Sequence, residues 1–213
     1  AVIGRIYAVG VPSIIMMSIG SIMTYAINQI LLRFSSTATA VFGVYFKLQS
    51  FIFMPVFGLN NGLIPILAYN YGARNRERIE KALRLAIGYA VSIMLIGTIL
   101  FQIFPTQLLG LFNASADMVS IGVVALRVIS TSFVLAGFCI ALGSVFQAFG
   151  QGLFSMFVSI GRQLVVLIPV AYLLSLSGEV NYVWWAFPIA ETASVVLSVL
   201  FFIRTYRKCV KPL

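Results

Sequence analysis

The chain is 213 residues long, 61% hydrophobic and only 9% charged, with a mean hydropathy of +1.06. A soluble domain carries about 25% charged residues, and a single water-excluding core cannot absorb so large a deficit, so the lipid bilayer is the expected solvent. The net charge of +9 comes from 14 basic and 5 acidic residues, clustered in short stretches between apolar runs, which argues for membrane orientation and against a nucleic-acid partner.

A helix needs about 20 apolar residues to cross the hydrocarbon core. Spans are predicted at 7–32, 38–70, 82–104, 118–148, 153–176 and 183–206, giving an all-α polytopic membrane bundle of six transmembrane helices, one lobe over 1–213 with a tail at 207–213. The N-terminal stretch "AVIGRIYAVGVPSIIMMS" lacks both an initiator Met and a small-residue cleavage site, so it reads as a chain entered in mid-course rather than a signal peptide. The first span holds Asn28 and Gln29. The second, at some 33 residues, would extend about 50 Å against a core of about 30 Å and must tilt, bend or project. Pro55 and Pro65 can bend it, and Gly58 with Gly62 offers a small face for close helix contact. Next comes "GLNNGLIPILAYNYGARNRERIEKAL", apolar to Tyr69 and charged from Arg74. Residues 105–113 are apolar but too short to cross and read as an interfacial half-helix.

Charge sorting orients the spans. Arg5, the run Arg74, Arg76, Arg78, Lys81 and Arg84, then Arg162 and the tail cations Arg204, Arg207, Lys208 and Lys211 all fall on one side of a six-span arrangement. The opposite loops hold Arg33, Asp117 and Glu179. The positive-inside rule makes both termini and the basic run cytoplasmic. That run reads as a topology anchor and solvated helix start, with Glu77 and Lys81 in the favourable i, i+4 order; an anionic-lipid site is the sharper alternative.

Ionisable residues at membrane depth are functional candidates. Lys47, Arg127 and Glu191 each lie eight or nine residues into a span, roughly 12–14 Å below its outer end, so Glu191 could neutralise Lys47 or Arg127. The competing reading is that the cations snorkel outward, Arg127 foremost, and that Glu191 braces a helix contact. The amides Asn28, Gln29, Gln49, Asn60, Asn61 and Gln147 should face the bundle or a wet cavity. Tyr25, Tyr45, Phe51, Phe53 and Phe146 lie close to them in sequence and could hold a flat organic cation, or simply pack. Histidine is absent, Cys139 and Cys209 are placed to remain free thiols, and no paired carboxylate, Cys-x-x-Cys or Walker-type loop occurs. An enzyme and an ATP-driven pump are therefore not indicated, and no cofactor is implied.

The segments "VFGVYFKLQSFIFMPVFG", "GLNNGLIPILAYNYGARNRERI", "ALRVISTSF", "FQAFGQGLFSMFVSIGRQLVVLIPVAYLLS" and "WWAFPIAE", in that order, resemble the multidrug and toxic compound extrusion family over nearly the whole chain. The resemblance implies one six-helix lobe, the second, of a twelve-helix transporter with a central cleft. Such proteins exchange organic cations and other drugs for protons or sodium by alternating access, here in a bacterial inner membrane. Its partners would be the missing N-terminal lobe or a second copy, and the bilayer. Sodium-coupled relatives carry acids in the first and fourth helices of this lobe. Asn28 and Gln29 stand in the first here, and the fourth has no acid beyond its rim, so protons are favoured. Substrate would lie against Tyr45, Gln49, Asn60 and Asn61, with Asn28 and Gln147 as further pathway residues and Glu191 and Lys47 setting the charge. A lipid-linked sugar flippase of the same superfamily and a non-transporting membrane scaffold are the alternatives.

Overall fold

The computed structural model describes residues 2–212, apart from the side chains of residues 2–6, 8–10, 12, 13, 16 and 17. The side-chain placement expected for Arg5 therefore lies outside the described residues. In chain order the helices are α1 (Val2–Leu32), α2 (Ser36–Gly72), α3 (Arg76–Ile103), α4 (Pro105–Gly110), α5 (Ala116–Ser130), α6 (Phe133–Ala148), α7 (Gly152–Ile160), α8 (Ile168–Ser175), α9 (Val180–Val183) and α10 (Ala186–Thr205). A π-helical stretch, Gly161–Leu167, joins α7 to α8, and a second, Tyr206–Val210, extends α10. No strand occurs among the described residues.

Among the described residues, four helical stretches are long and apolar enough to cross a membrane: Ser36–Gly72, Arg76–Ile103, Gly152–Ser175 and Val180–Val210. The α5–α6 pair would make a fifth, bent by 46° at its break, and Ser18–Leu32 is the described apolar part of α1. Short links separate these helices, and those before α2 and α3 carry side-chain caps. Ser35 accepts a hydrogen bond from the Ala38 amide at 3.0 Å, and Asn75 accepts from the Arg78 amide at 3.1 Å. Such caps satisfy amides that the first helical turn leaves without partners. At 37 residues, α2 runs uninterrupted through Pro55 and Pro65 and is about 55 Å long.

The stretch expected to be one span over 118–148 is built from two helices, α5 and α6, with a break at Thr131–Ser132. The reason is local. In the run Ser130–Thr131–Ser132 each hydroxyl donates to the carbonyl three residues back, at 3.1, 2.7 and 2.7 Å, and so competes with the helical ladder. The neighbouring helix α3 completes the break. The Gln102 side-chain amide donates to the Arg127 carbonyl at 2.7 Å and the Thr98 hydroxyl to the Ser130 carbonyl at 3.1 Å, supplying partners to backbone that lipid cannot satisfy.

The π turn at Gly161–Leu167 also has a cause in the sequence. Pro169 has no amide hydrogen to donate and its ring crowds the carbonyl four residues back, so a wider turn upstream relieves the clash. Gly161 permits close approach to α10, where an added Cβ would stand 2.8 Å from Leu197 Cδ1.

Two apolar clusters hold the bundle. The larger includes Leu31, Phe42, Phe101, Leu126, Phe133 and Trp184, each at most 1% exposed. The smaller gathers Leu63, Leu67, Ile79, Leu83, Val145 and Val210 at the end carrying the basic run. The tail at 207–213 begins as part of the fold, because Val210 is 1% exposed in this cluster. Residues 105–113 form the short helix α4, with Leu109 buried against the larger core. Tyr25, Phe51 and Tyr69 are among many large apolar side chains left facing outward, as a lipid-solvated surface requires.

Candidate functional site

Polar side chains at membrane depth must find partners or line a cavity. Here they line an open cavity of about 570 Å³ between α2, α6, α7, the first π turn and α10. Each element contributes one helical stripe. From α2 come Phe46, Gln49, Phe53, Phe57 and Asn60; from α6, Cys139, Gly143, Phe146 and Gln147. The fifth span adds Ser155, Ser159 and Arg162, and α10 adds Glu191, Ser194 and Ser198. Spacings of three and four residues keep each set on one helix face.

The charged centre of the cavity is an ion pair. Arg162 Nη1 donates to Glu191 Oε2 at 3.0 Å, and the two side chains are 35% and 9% exposed. The Arg162 exposure is to the cavity, since the residue lies well inside the Gly152–Ser175 span. The Glu191 oxygen Oε1 is buried without a hydrogen-bond partner, as are Asn60 Oδ1 and Ser155 Oγ, both belonging to side chains that line the same cavity. A second cavity, of about 260 Å³, is lined by Gly20 and Met23 of α1 and by Tyr45, Ser132 and Phe187. Phe46, Gln49, Arg162, Gln163 and Glu191 line both cavities, so the ion pair stands in their shared wall.

Several sequence expectations need correcting. The partner of Glu191 is Arg162, not Lys47 or Arg127, and Arg162 lies within the Gly152–Ser175 helical stretch rather than in a loop beside it. Lys47 is exposed, its ammonium 5.9 Å from the Phe112 ring centroid; Arg127 is exposed at the end of α5. An aliphatic stem long enough to carry the charge outward explains both placements. Gln49, Asn60, Gln147 and Glu191 line the larger cavity, and Tyr45, 3% exposed, lines the smaller. Asn61 is exposed on another face of α2 and Asn28 is half-buried on α1; neither lines a cavity. Phe53 and Phe146 line the larger cavity, whereas Tyr25 and Phe51 point outward, 67% and 72% exposed. Cys139, which faces the cavity, and Cys209 are both free thiols.

The polar stripes Ser155–Ser159–Arg162 and Glu191–Ser194–Ser198 went unread in the sequence. Their helical spacing within otherwise apolar spans was the available signal.

At the charged end, Arg74, Arg78, Lys81 and Arg84 are exposed. Arg76 pairs with Glu80 at 2.7 Å and donates to the Tyr206 hydroxyl at 3.0 Å, while that hydroxyl donates to Glu80. The i, i+4 pair on this helix is therefore Arg76–Glu80 rather than Glu77–Lys81, because Tyr206 from the C-terminal π turn docks there. No group of three or more His, Cys, Asp or Glu side chains suited to a metal occurs among the described residues.

Comparison with known proteins agrees with this architecture. The chain is 28% identical over 196 residues to the multidrug export protein MepA of Staphylococcus saprophyticus, covering 92% of this chain and 43% of that protein. It is 26% identical to MepA of Staphylococcus haemolyticus, covering 93% and 43%. Among solved structures, a MOP superfamily transporter from Pyrococcus furiosus superposes with a TM-score of 0.87 at 25% identity, covering 94% of this chain and 46% of that one. A Vibrio cholerae MATE transporter shares the fold alone, with a TM-score of 0.90 at 16% identity. The chain thus spans about half the length of the curated relatives it matches. The MatE family profile matches residues 12–173, most of the chain, and this multi-pass membrane helical bundle belongs to the multidrug and toxic compound extrusion (MatE) family.

Proposed function

We propose that the chain is the C-terminal six-span lobe of a secondary active exporter. It would move organic cations and other xenobiotics out of the cell, in exchange for protons in preference to sodium, by alternating access. The lobe would sit in a bacterial inner membrane with both ends cytoplasmic, against an N-terminal lobe. The observation that carries this reading is the larger cavity. Its aromatic walls, Phe46, Phe53, Phe57 and Phe146, suit flat apolar cations, and Gln49, Asn60 and Glu191 supply acceptors for their polar groups.

A flippase for pyrophosphate-linked sugars needs a strongly basic cleft. The Arg162 charge is offset by Glu191, and Lys47 and Arg127 line neither cavity, so this reading ranks second. A scaffold has no use for an aromatic cavity.

The test is ethidium accumulation in efflux-deficient bacteria expressing the full-length gene product. Lowered accumulation that a protonophore abolishes supports proton-coupled export. Loss of export when sodium, rather than the proton gradient, is withdrawn would reassign the coupling ion. Unchanged accumulation under all conditions would overturn the reading.

A further inference from the structure

Nine of the 14 lysines and arginines lie in residues 74–84 and 204–211, with Glu77 and Glu80 the acids among them. The fold brings both stretches to one end of the bundle, where Arg76 donates to Tyr206 and Ile79 packs with Val210. Glu80 engages Arg76, and among the described residues no other cation of this end has a carboxylate partner. At Arg204 the fold also holds the guanidinium in place. Its Cζ is 5.8 Å from the centroid of the Phe154 ring on α7. Phe154 lies flat against Phe201 of α10, with centroids 4.7 Å and planes 2° apart, and meets buried Phe146 edge-on at 6.0 Å, so the core fixes this platform. A guanidinium over a ring uses its flat face there, and its edge keeps the planar fork of N–H donors that matches a phosphate. Arg204 is exposed, so that fork is accessible. Exposed Leu200 and Val196 stand one and two turns deeper in the span on the same face of α10, and exposed Lys208 follows one turn further out.

From this juxtaposition we infer that the outer face of α10, beside α7, is a binding site for an anionic phospholipid. The edge of Arg204, with Lys208, holds the lipid phosphate, and an acyl chain lies along Leu200 and Val196. The stripe runs apolar, apolar, cation, cation, which is the order of a lipid from chain to headgroup. The surrounding cations select an anionic over a zwitterionic headgroup, because a second, positive headgroup charge would stand among like charges. A free phosphate satisfies the cations but leaves the apolar stripe uncovered, so the acyl chain adds to affinity. None of the residues in this site lines either cavity, and the site is independent of what the protein exports.

Titration of the purified full-length gene product in detergent with fluorescent phosphatidylglycerol tests this. Phosphatidylglycerol should bind about tenfold or more tightly than phosphatidylcholine. Arg204→Gln should weaken its binding by about tenfold, and Arg204→Lys should recover only part of that loss, because the charge returns without the planar fork. Arg78→Gln removes an equal charge from the same end and should change the affinity by less than about twofold. Inorganic phosphate and glycerophosphoglycerol, the headgroup without its chains, should compete only far above the lipid concentration. Equal losses in Arg204→Gln and Arg78→Gln would mean a diffuse basic surface and overturn the site. So would phosphatidylcholine that binds as tightly as phosphatidylglycerol. Competition by glycerophosphoglycerol at lipid concentrations overturns it in favour of a free-phosphate site. If Arg204→Gln unfolds in detergent, Arg204→Lys decides: an affinity equal to the parent's overturns the role given to the guanidinium, and a weaker one supports it.

Discussion

Two arginine–glutamate pairs with similar geometry stand in different surroundings. Arg76 and Glu80 meet at 2.7 Å one helical turn apart, with side chains 45% and 36% exposed. Arg162 and Glu191 meet at 3.0 Å across two spans, with Glu191 9% exposed and one of its oxygens unpartnered. Water surrounds the first pair, compensates either charge if the other is removed, and screens their attraction. The second has only the cavity and the neighbouring helices, so removing one partner strands a charge. Depth, rather than bond length, decides what each pair contributes.

The largest expected effect tests this most directly. Glu191→Ala should destabilise the protein by about 3–5 kcal/mol, with Glu191→Gln losing less, read as unfolding midpoints in detergent. An alanine variant as stable as the parent would break the comparison. Gly137→Val separates packing from charge. A Cβ at Gly137 would stand 2.7 Å from Met94 Cγ and 3.1 Å from the Ala90 carbonyl oxygen, where α6 crosses α3. Overpacking there should cost about 1–3 kcal/mol, independent of salt, in the same unfolding experiment. Ser35→Ala removes the cap of α2 and should cost about 1 kcal/mol, an effect that hydrogen exchange should localise to the first turn. Smallest of all is Glu80→Gln. Its shift in midpoint should fall below that of Ser35→Ala and shrink further in high salt, because Arg76 remains hydrated. A large, salt-insensitive loss would instead mean that Tyr206 docks the C-terminal turn through Glu80.

The helices were legible because lipid imposes a long apolar run on any helix that crosses it. The span expected over 38–70 is Ser36–Gly72, and that expected over 153–176 is Gly152–Ser175. The break in the fourth span was written in the Ser130–Thr131–Ser132 run, but an average over hydropathy conceals three small hydroxyl residues. Gln49, Asn60, Gln147 and Glu191 were legible as cavity candidates for the same reason the spans were: polar atoms at depth need company. Arg162 was misplaced because its span begins on the basic side, and counting charges by side put it with the anchors although it lies well inside the Gly152–Ser175 helical stretch.

By itself the sequence determined that this is an all-helical membrane protein, and it marked several of the polar residues that line the larger cavity, Gln49, Asn60, Gln147 and Glu191 among them. Those properties follow from one-dimensional hydropathy and from the cost of unsatisfied polar groups in lipid. Only the tertiary structure decided that Glu191 on α10 pairs with Arg162 on the fifth span rather than with Lys47 or Arg127, and that the pair divides two cavities. Partner choice depends on which helices are neighbours and how each is rotated. A difference of one residue turns a side chain by about 100° around the helix, from cavity to lipid, while leaving the hydropathy of the span almost unchanged.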